Sequence, residues 1–185
     1  GKSTLMQILI GGASGVAKST QAMQVCENNK IVHKIGSGFM REIVRYFISK
    51  ESSPELHEYS YGESKNFILP YDLLKEQSKP LVGPTLRCLE RAENEGTSIV
   101  IEGVNILPSL YNNFSTKKKY ILYVECEKKH WEMINGETHK NRAITKDQFA
   151  RVREIQESFK KDAKDYEWKL VESVKEQLSD YINKN

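Results

Sequence analysis

Eight consecutive residues, Gly12-Ala13-Ser14-Gly15-Val16-Ala17-Lys18-Ser19, follow the spacing Gly-x-x-x-x-Gly-Lys-Ser, except that alanine stands at the second glycine position. In a loop of this type successive backbone N–H groups point into one concavity that holds phosphate oxygens, and the following helix N-terminus adds positive potential. Lys18 would reach the β- and γ-phosphates of a nucleotide, the Ser19 hydroxyl would ligate Mg²⁺, and the stretch from Gly12 to Thr20 as a whole would form the nucleotide site. Ala17 fits only if its backbone stays in a region that a Cβ tolerates. Gly1-Lys2-Ser3-Thr4 repeats part of the pattern with no strand before it, and is read as terminal residues without a phosphate role.

A carboxylate completes the chemistry. Glu102 closes the apolar run Ser98 to Glu102, and open parallel sheets bind ligands beyond the carboxyl ends of their strands. There it could hold Mg²⁺ or its bound water, or accept the proton of an attacking hydroxyl. Basic residues follow in three groups: Arg41 and Arg45, Arg87 and Arg91, and Lys140, Arg142, Arg151 and Arg153. Pairs four apart share a helix face, and fixed guanidinium groups suit anionic substrates and a transferring phosphoryl group. His33, His57, His130 and His139 have no ligand spacing, so no histidine metal site is expected; only His139, near Arg142, invites attention.

These groups must be positioned by alternating strands and helices. Leu5 to Ile10 is a short apolar run ending in Gly11-Gly12 and leading into helical periodicity at Ala22, Val25 and Cys26, which reads as strand, turn, helix. Ile31 to Ile35 and Phe39 to Ile48 repeat that order. Glu51 to Asn66 has no period and reads as a long loop or insertion. Pro70 to Glu95 reads as a long helix, broken near Gly83-Pro84 and capped by Gly96. Further strands are expected at Ser98 to Glu102, Lys119 to Cys126 and Trp168 to Val171, with a charged helical region over 127–165 and a terminal helix through Val174 and Ile182. Such alternation predicts βαβ units and a mostly parallel sheet.

Composition narrows the function. The 185 residues carry 28 Lys plus Arg against 25 Asp plus Glu, and even the stretch from Glu127 is balanced at 13 against 12, so no nucleic-acid partner is expected. No apolar run approaches a membrane span, and no signal peptide is read at the start, so a cytoplasmic protein without a membrane partner is expected. Cys26, Cys88 and Cys126 are scattered and suggest neither disulfides nor zinc.

The chain resembles the P-loop small-molecule kinases of the archaeal 2-phosphoglycerate kinase type. The resemblance is carried by Gly11 to Gly15 with Lys18-Ser19, Met40-Arg41-Glu42, Glu76-Gln77, Arg91-Ala92 with Glu95 to Asn105 and Pro108, Arg153 to Gln156, and the Ser60-Tyr61 pair. It implies a three-layer α/β/α fold with a mostly parallel central sheet, similar to nucleoside kinases, over 1–185 as one domain. A substrate-region insertion is expected at about 51–70 and a lid at about 127–150. Three departures stand out: Ala17 for glycine, Asn105 where the family tends to have histidine, and Gly38 where relatives have an aspartate, which leaves Glu102 to carry the base or metal role.

The resemblance thus implies an ATP- and Mg²⁺-dependent transfer of the γ-phosphoryl group to a hydroxyl of a small phosphorylated acid. Lys18, Glu102 and Arg142 are the expected catalytic residues, with Arg142, Arg151 or Arg153 closing over ATP. Arg41, Arg45, Tyr61, Lys65 and Arg87 would bind the acceptor. The departures and the lone domain favour mevalonate 3-phosphate 5-kinase activity. 2-Phosphoglycerate, a nucleoside monophosphate, or nucleotide binding without turnover remain open, as does a monomer or homodimer.

Overall fold

A computed structural model describes residues 5–58, 61, 69–114, 118–136 and 143–183. Five strands form one wholly parallel sheet: β1 (Gln7–Gly11), β2 (His33–Gly36), β3 (Ile99–Glu102), β4 (Lys118–Tyr123) and β5 (Lys169–Glu172), in the spatial order β2-β3-β1-β4-β5. Seven helices are described: α1 (Lys18–Asn29), α2 (Ser37–Phe47), α3 (Pro70–Ser78), α4 (Val82–Glu95), α5 (Glu127–Asn135), α6 (Lys146–Asp165) and α7 (Leu178–Asn183).

Strand alternation divides the interior into two cores. Ile8 and Ile10 of β1, Val100 of β3 and Leu122 of β4 point to the side that α1 and α7 cover with Ala22, Val25, Leu178 and Ile182. Leu9, Ile101 and Ile121 point to the other side, against Leu74 of α3, Leu89 of α4 and Phe159 of α6. The central strand is therefore apolar on both faces, as its uninterrupted hydrophobic run requires. Ile8, Leu9 and Ile10 are all fully buried, each worth roughly 1.5–3 kcal/mol of transfer free energy. The sheet is the expected three-layer α/β architecture.

Element limits differ from the sequence reading at instructive places. The helix expected over Pro70 to Glu95 is interrupted at the 3-10 turn Lys79–Leu81, four residues earlier than Gly83-Pro84. Pro84 lies in the first turn of α4, where a missing N–H costs nothing. Gly96 ends α4 in the left-handed conformation (φ 71°, ψ 33°), its N–H donating to the Ala92 and Glu93 carbonyls, which is the expected glycine cap. The charged region after Cys126 is two helices, α5 and α6. The second opens on a reciprocal cap in which Thr145 and Gln148 each accept the other's backbone N–H. The Glu51 to Asn66 stretch contributes a 3-10 turn, Pro54–His57.

Parallel pairing places Ile10 beside Glu102 and Glu102 beside Gly36. The carboxyl ends of β1, β3 and β2 thus converge, and the loop from Gly12, the Glu102 side chain and the start of α2 meet at one rim of the sheet.

Candidate functional site

The turn from β1 into α1 is shaped by backbone conformations that its sequence permits. Gly12 has φ 142° and Gly15 φ 77°, values that L side chains rarely adopt. Neither position has space: a Cβ on Gly12 would stand 2.5 Å from the Leu122 carbonyl oxygen, and one on Gly15 would stand 2.6 Å from the Ile134 Cβ. Ala17, the residue that breaks the motif, sits at φ 67°, ψ 30° as the N-cap of α1. That lies in the small left-handed region open to L-residues, at a cost of about 1–2 kcal/mol. Alanine thus adopts, at an energetic cost, a conformation that glycine takes freely.

Gly12 and Ala13 form the buried floor of this loop, while Ser14 through Thr20 line a cleft of about 950 Å³. The Lys18 ammonium folds back over the loop and donates to the Ala13 carbonyl at 2.6 Å. The Ser19 hydroxyl donates to Glu102 Oε1 at 3.1 Å, and Glu102 is buried. A hydroxyl and a carboxylate converging at the edge of a phosphate cradle are hard oxygen donors of the kind Mg²⁺ takes.

The opposite wall comes from α2 and the 3-10 turn. Arg41 Nε donates to the Leu56 carbonyl at 3.0 Å. Arg45 donates to Glu42 Oε1 at 2.8 Å and, through Nε, to His57 Nδ1 at 3.4 Å. Both arginines line the cleft, as does the buried Tyr61. Gly38 also lines it, and a Cβ there would meet nothing within 4 Å. Asn105 lines the cleft too, but it is 1% exposed and its amide is engaged: it accepts from the Ser37 hydroxyl at 3.3 Å and donates to Ser78 Oγ at 2.9 Å.

Not every expected residue comes to the cleft. Arg87 lies on the exposed outer face of α4 beside Arg91 and Glu95, so the structure does not bring it to the cleft. Arg151 Nε donates to the Tyr61 carbonyl at 2.7 Å, tying α6 to Tyr61. Arg153 donates to the Val124 and Glu125 carbonyls at 2.7 and 3.0 Å; it is anchored at the end of β4. Lys65, Arg142, Lys140, His139 and Ser60 lie outside the described residues, as do Gly1 to Thr4. Among the described residues no cluster of His, Cys, Asp and Glu could hold a metal by itself. None of their helices is long and apolar enough to cross a membrane.

One residue was not singled out by spacing. His130 of α5 is fully buried, with Nε2 at 2.8 Å from the Ser14 carbonyl oxygen and Nδ1 at 3.1 Å from Arg153 Nη1. Burial, opposed in part by the Ser14 hydrogen bond and aided by the Arg153 and Lys18 charges, pushes its pKa down to about 4. Ser14 is 116 positions away, so no local pattern could have paired them.

No family model matches the chain. Among characterised sequences it is similar to the 2-phosphoglycerate kinase of Methanopyrus kandleri, 29% identical over 95% of this chain and 60% of the relative. The 2-phosphoglycerate kinase of Methanothermobacter thermautotrophicus is 34% identical over 66% of this chain and 44% of the relative. The chain therefore spans about half the length of the curated relatives it matches. Among solved structures, shikimate kinase from Acinetobacter baumannii in complex with shikimate superposes with a TM-score of 0.56 at 10% identity, over 98% of this chain and 91% of that one. That likeness shows the P-loop α/β fold.

Proposed function

We propose that this chain is a phosphotransferase domain of the 2-phosphoglycerate kinase type, moving the γ-phosphoryl group of ATP to a hydroxyl of a small phosphorylated acid. The observation that carries it is the Ser19–Glu102 contact beside Lys18, at the mouth of a loop whose glycines pack directly against β4 and α5 where a Cβ would clash. The relatives from Methanopyrus kandleri and Methanothermobacter thermautotrophicus, both named 2-phosphoglycerate kinase, support the same class of acceptor.

In this reading the backbone from Ser14 to Ser19 binds the nucleotide phosphates, and Lys18 exchanges its Ala13 carbonyl for phosphate oxygens. Its charge then offsets the negative charge spread over the γ-oxygens in the transition state. Ser19 and Glu102 would hold Mg²⁺, which supplies charge neutralisation between the phosphates. Arg41 and Arg45 line the acceptor wall and would fix the acceptor's carboxylate and phosphate as guanidinium donors. The acceptor hydroxyl attacks the γ-phosphorus, the bond from that phosphorus to the β–γ bridging oxygen breaks, ADP leaves, and the hydroxyl proton passes to an oxygen of the transferred phosphoryl group and on to solvent. Catalysis is then mostly positioning and charge.

2-Phosphoglycerate is the first-ranked acceptor. Mevalonate 3-phosphate is the second reading, supported by the open space at Gly38. Asn105, the other departure behind it, lends less, because its amide is spent on Ser37 and Ser78. The test is ATP consumption in the presence of 2-phosphoglycerate, mevalonate 3-phosphate, mevalonate, AMP, CMP or UMP, each added singly. Turnover with a phosphorylated hydroxy acid and with no nucleoside monophosphate is expected. Turnover with a nucleoside monophosphate alone would replace the acceptor class, and tight ATP binding with no turnover on any of them would reduce the domain to a nucleotide-binding module.

A further inference from the structure

We propose that His130 is the positioning residue of the phosphate loop, its ring bridging Arg153 to the Ser14 carbonyl so that the loop is held in its phosphate-binding form. This rests on reading Gly12 to Ser19 as a nucleotide phosphate site.

The hydrogen bonds admit a single tautomer. A guanidinium only donates and a carbonyl only accepts, so Nδ1 carries the lone pair that takes the Arg153 proton and Nε2–H donates to Ser14. The Ser14–Gly15 peptide is planar and trans, so the Gly15 N–H points opposite to the Ser14 carbonyl. Pinning that carbonyl on His130 turns the Gly15 N–H away from α5, and Gly15 lines the cleft. One helical turn on, Ile134 fills the space beneath Gly15, so α5 fixes the loop at two adjacent residues. Arg153 is itself held by the Val124 and Glu125 carbonyls, which makes the bridge a rigid strut from the end of β4.

The groups facing the ring are the Ser14 carbonyl from the loop, Lys18 from α1, and Arg153 and Phe149 from α6, with the Phe149 centroid 5.2 Å away. Both charged neighbours are cations, so a second ring proton would meet repulsion and would direct an N–H at a guanidinium. The strut works only with a neutral ring.

Calorimetric titration with Mg·ATP of the wild type, His130→Gln and His130→Asn tests this. Glutamine places an amide donor near the Nε2 position, whereas asparagine is too short to reach Ser14. His130→Asn is expected to weaken ATP binding by about tenfold or more, with the acceptor KM unchanged, and His130→Gln to restore most of the affinity. Equal affinity in wild type and His130→Asn, or equal losses in both variants, would overturn the assignment. A wild type that binds no ATP would instead remove the phosphate-site reading on which it rests. Should the asparagine variant not fold, ¹⁵N NMR of the wild-type ring decides: a neutral Nε2–H ring at pH 5.5 is expected, and a ring that titrates near its ordinary value or carries its proton on Nδ1 would overturn the proposal.

Discussion

The Ser19 hydroxyl and the Glu102 carboxylate stand 3.1 Å apart although 83 positions separate them. They meet because β1 and β3 run side by side with Ile10 paired to Glu102, so the loop after one strand and the last side chain of the other share a rim. If these two oxygens hold Mg²⁺, removing either should cost turnover far more than fold. Glu102→Gln and Ser19→Ala are each expected to lower kcat on the order of 10²-fold or more, with an unchanged circular dichroism spectrum. Near wild-type kcat in both would move the metal site elsewhere.

Ala17, like Lys30 and Glu167 a non-glycine residue at positive φ, should be a residue at which the wild type gives up stability. A glycine would adopt φ 67° without the Cβ penalty of about 1–2 kcal/mol. Ala17→Gly is therefore expected to raise the thermal midpoint by roughly 2–4 °C per kcal/mol recovered, with ATP affinity retained. A lowered midpoint would show that the left-handed backbone at Ala17 carries no such strain.

The depressed His130 pKa has a definite sign for stability. The unfolded ring takes its proton near 6.5 and the folded one near 4, so in that window the unfolded chain binds more protons and stability falls as pH drops. At about 1.4 kcal/mol per unit, the loss is roughly 3 kcal/mol, complete at pH about 4 and absent above pH about 7. Denaturant melts of the wild type and His130→Gln between pH 4 and 7 measure it; the variant should lack this component, and parallel pH profiles would contradict it.

The two arginine pairs should separate cleanly. Arg41 lines the cleft, whereas Arg87 lies outside it on α4. Arg41→Ala is expected to raise the acceptor KM by about tenfold or more, the loss of a charged hydrogen bond, and Arg87→Ala to leave it unchanged. Steady-state kinetics with the acceptor identified by the screen would show this, and an effect at Arg87 equal to that at Arg41 would contradict the placement.

The parts of the site built from neighbours in sequence were legible. An apolar run, two glycines and Lys18-Ser19 specify strand, loop and helix locally, and Glu102 announced itself as a carboxylate at the end of a buried strand. Spacing gave Arg87 and Arg91 a common helix face but not its direction; Arg91 pairs outward with Glu95 at 2.7 Å, which turns that face to solvent. Pro84 drew the expected helix break because proline is disfavoured in helix interiors, yet in a first turn it is harmless. His130 and the Ser37–Asn105–Ser78 network were hidden because their partners come together only through the sheet.

In the proposed function the Gly12 to Ser19 loop holds a nucleoside triphosphate with magnesium. Calorimetric titration of the chain with ATP, with and without Mg²⁺, alongside Lys18→Ala, tests it most directly. Saturable binding that Mg²⁺ strengthens, and that Lys18→Ala weakens, is the predicted result. No heat from the wild type, or equal affinity in the variant, would contradict it.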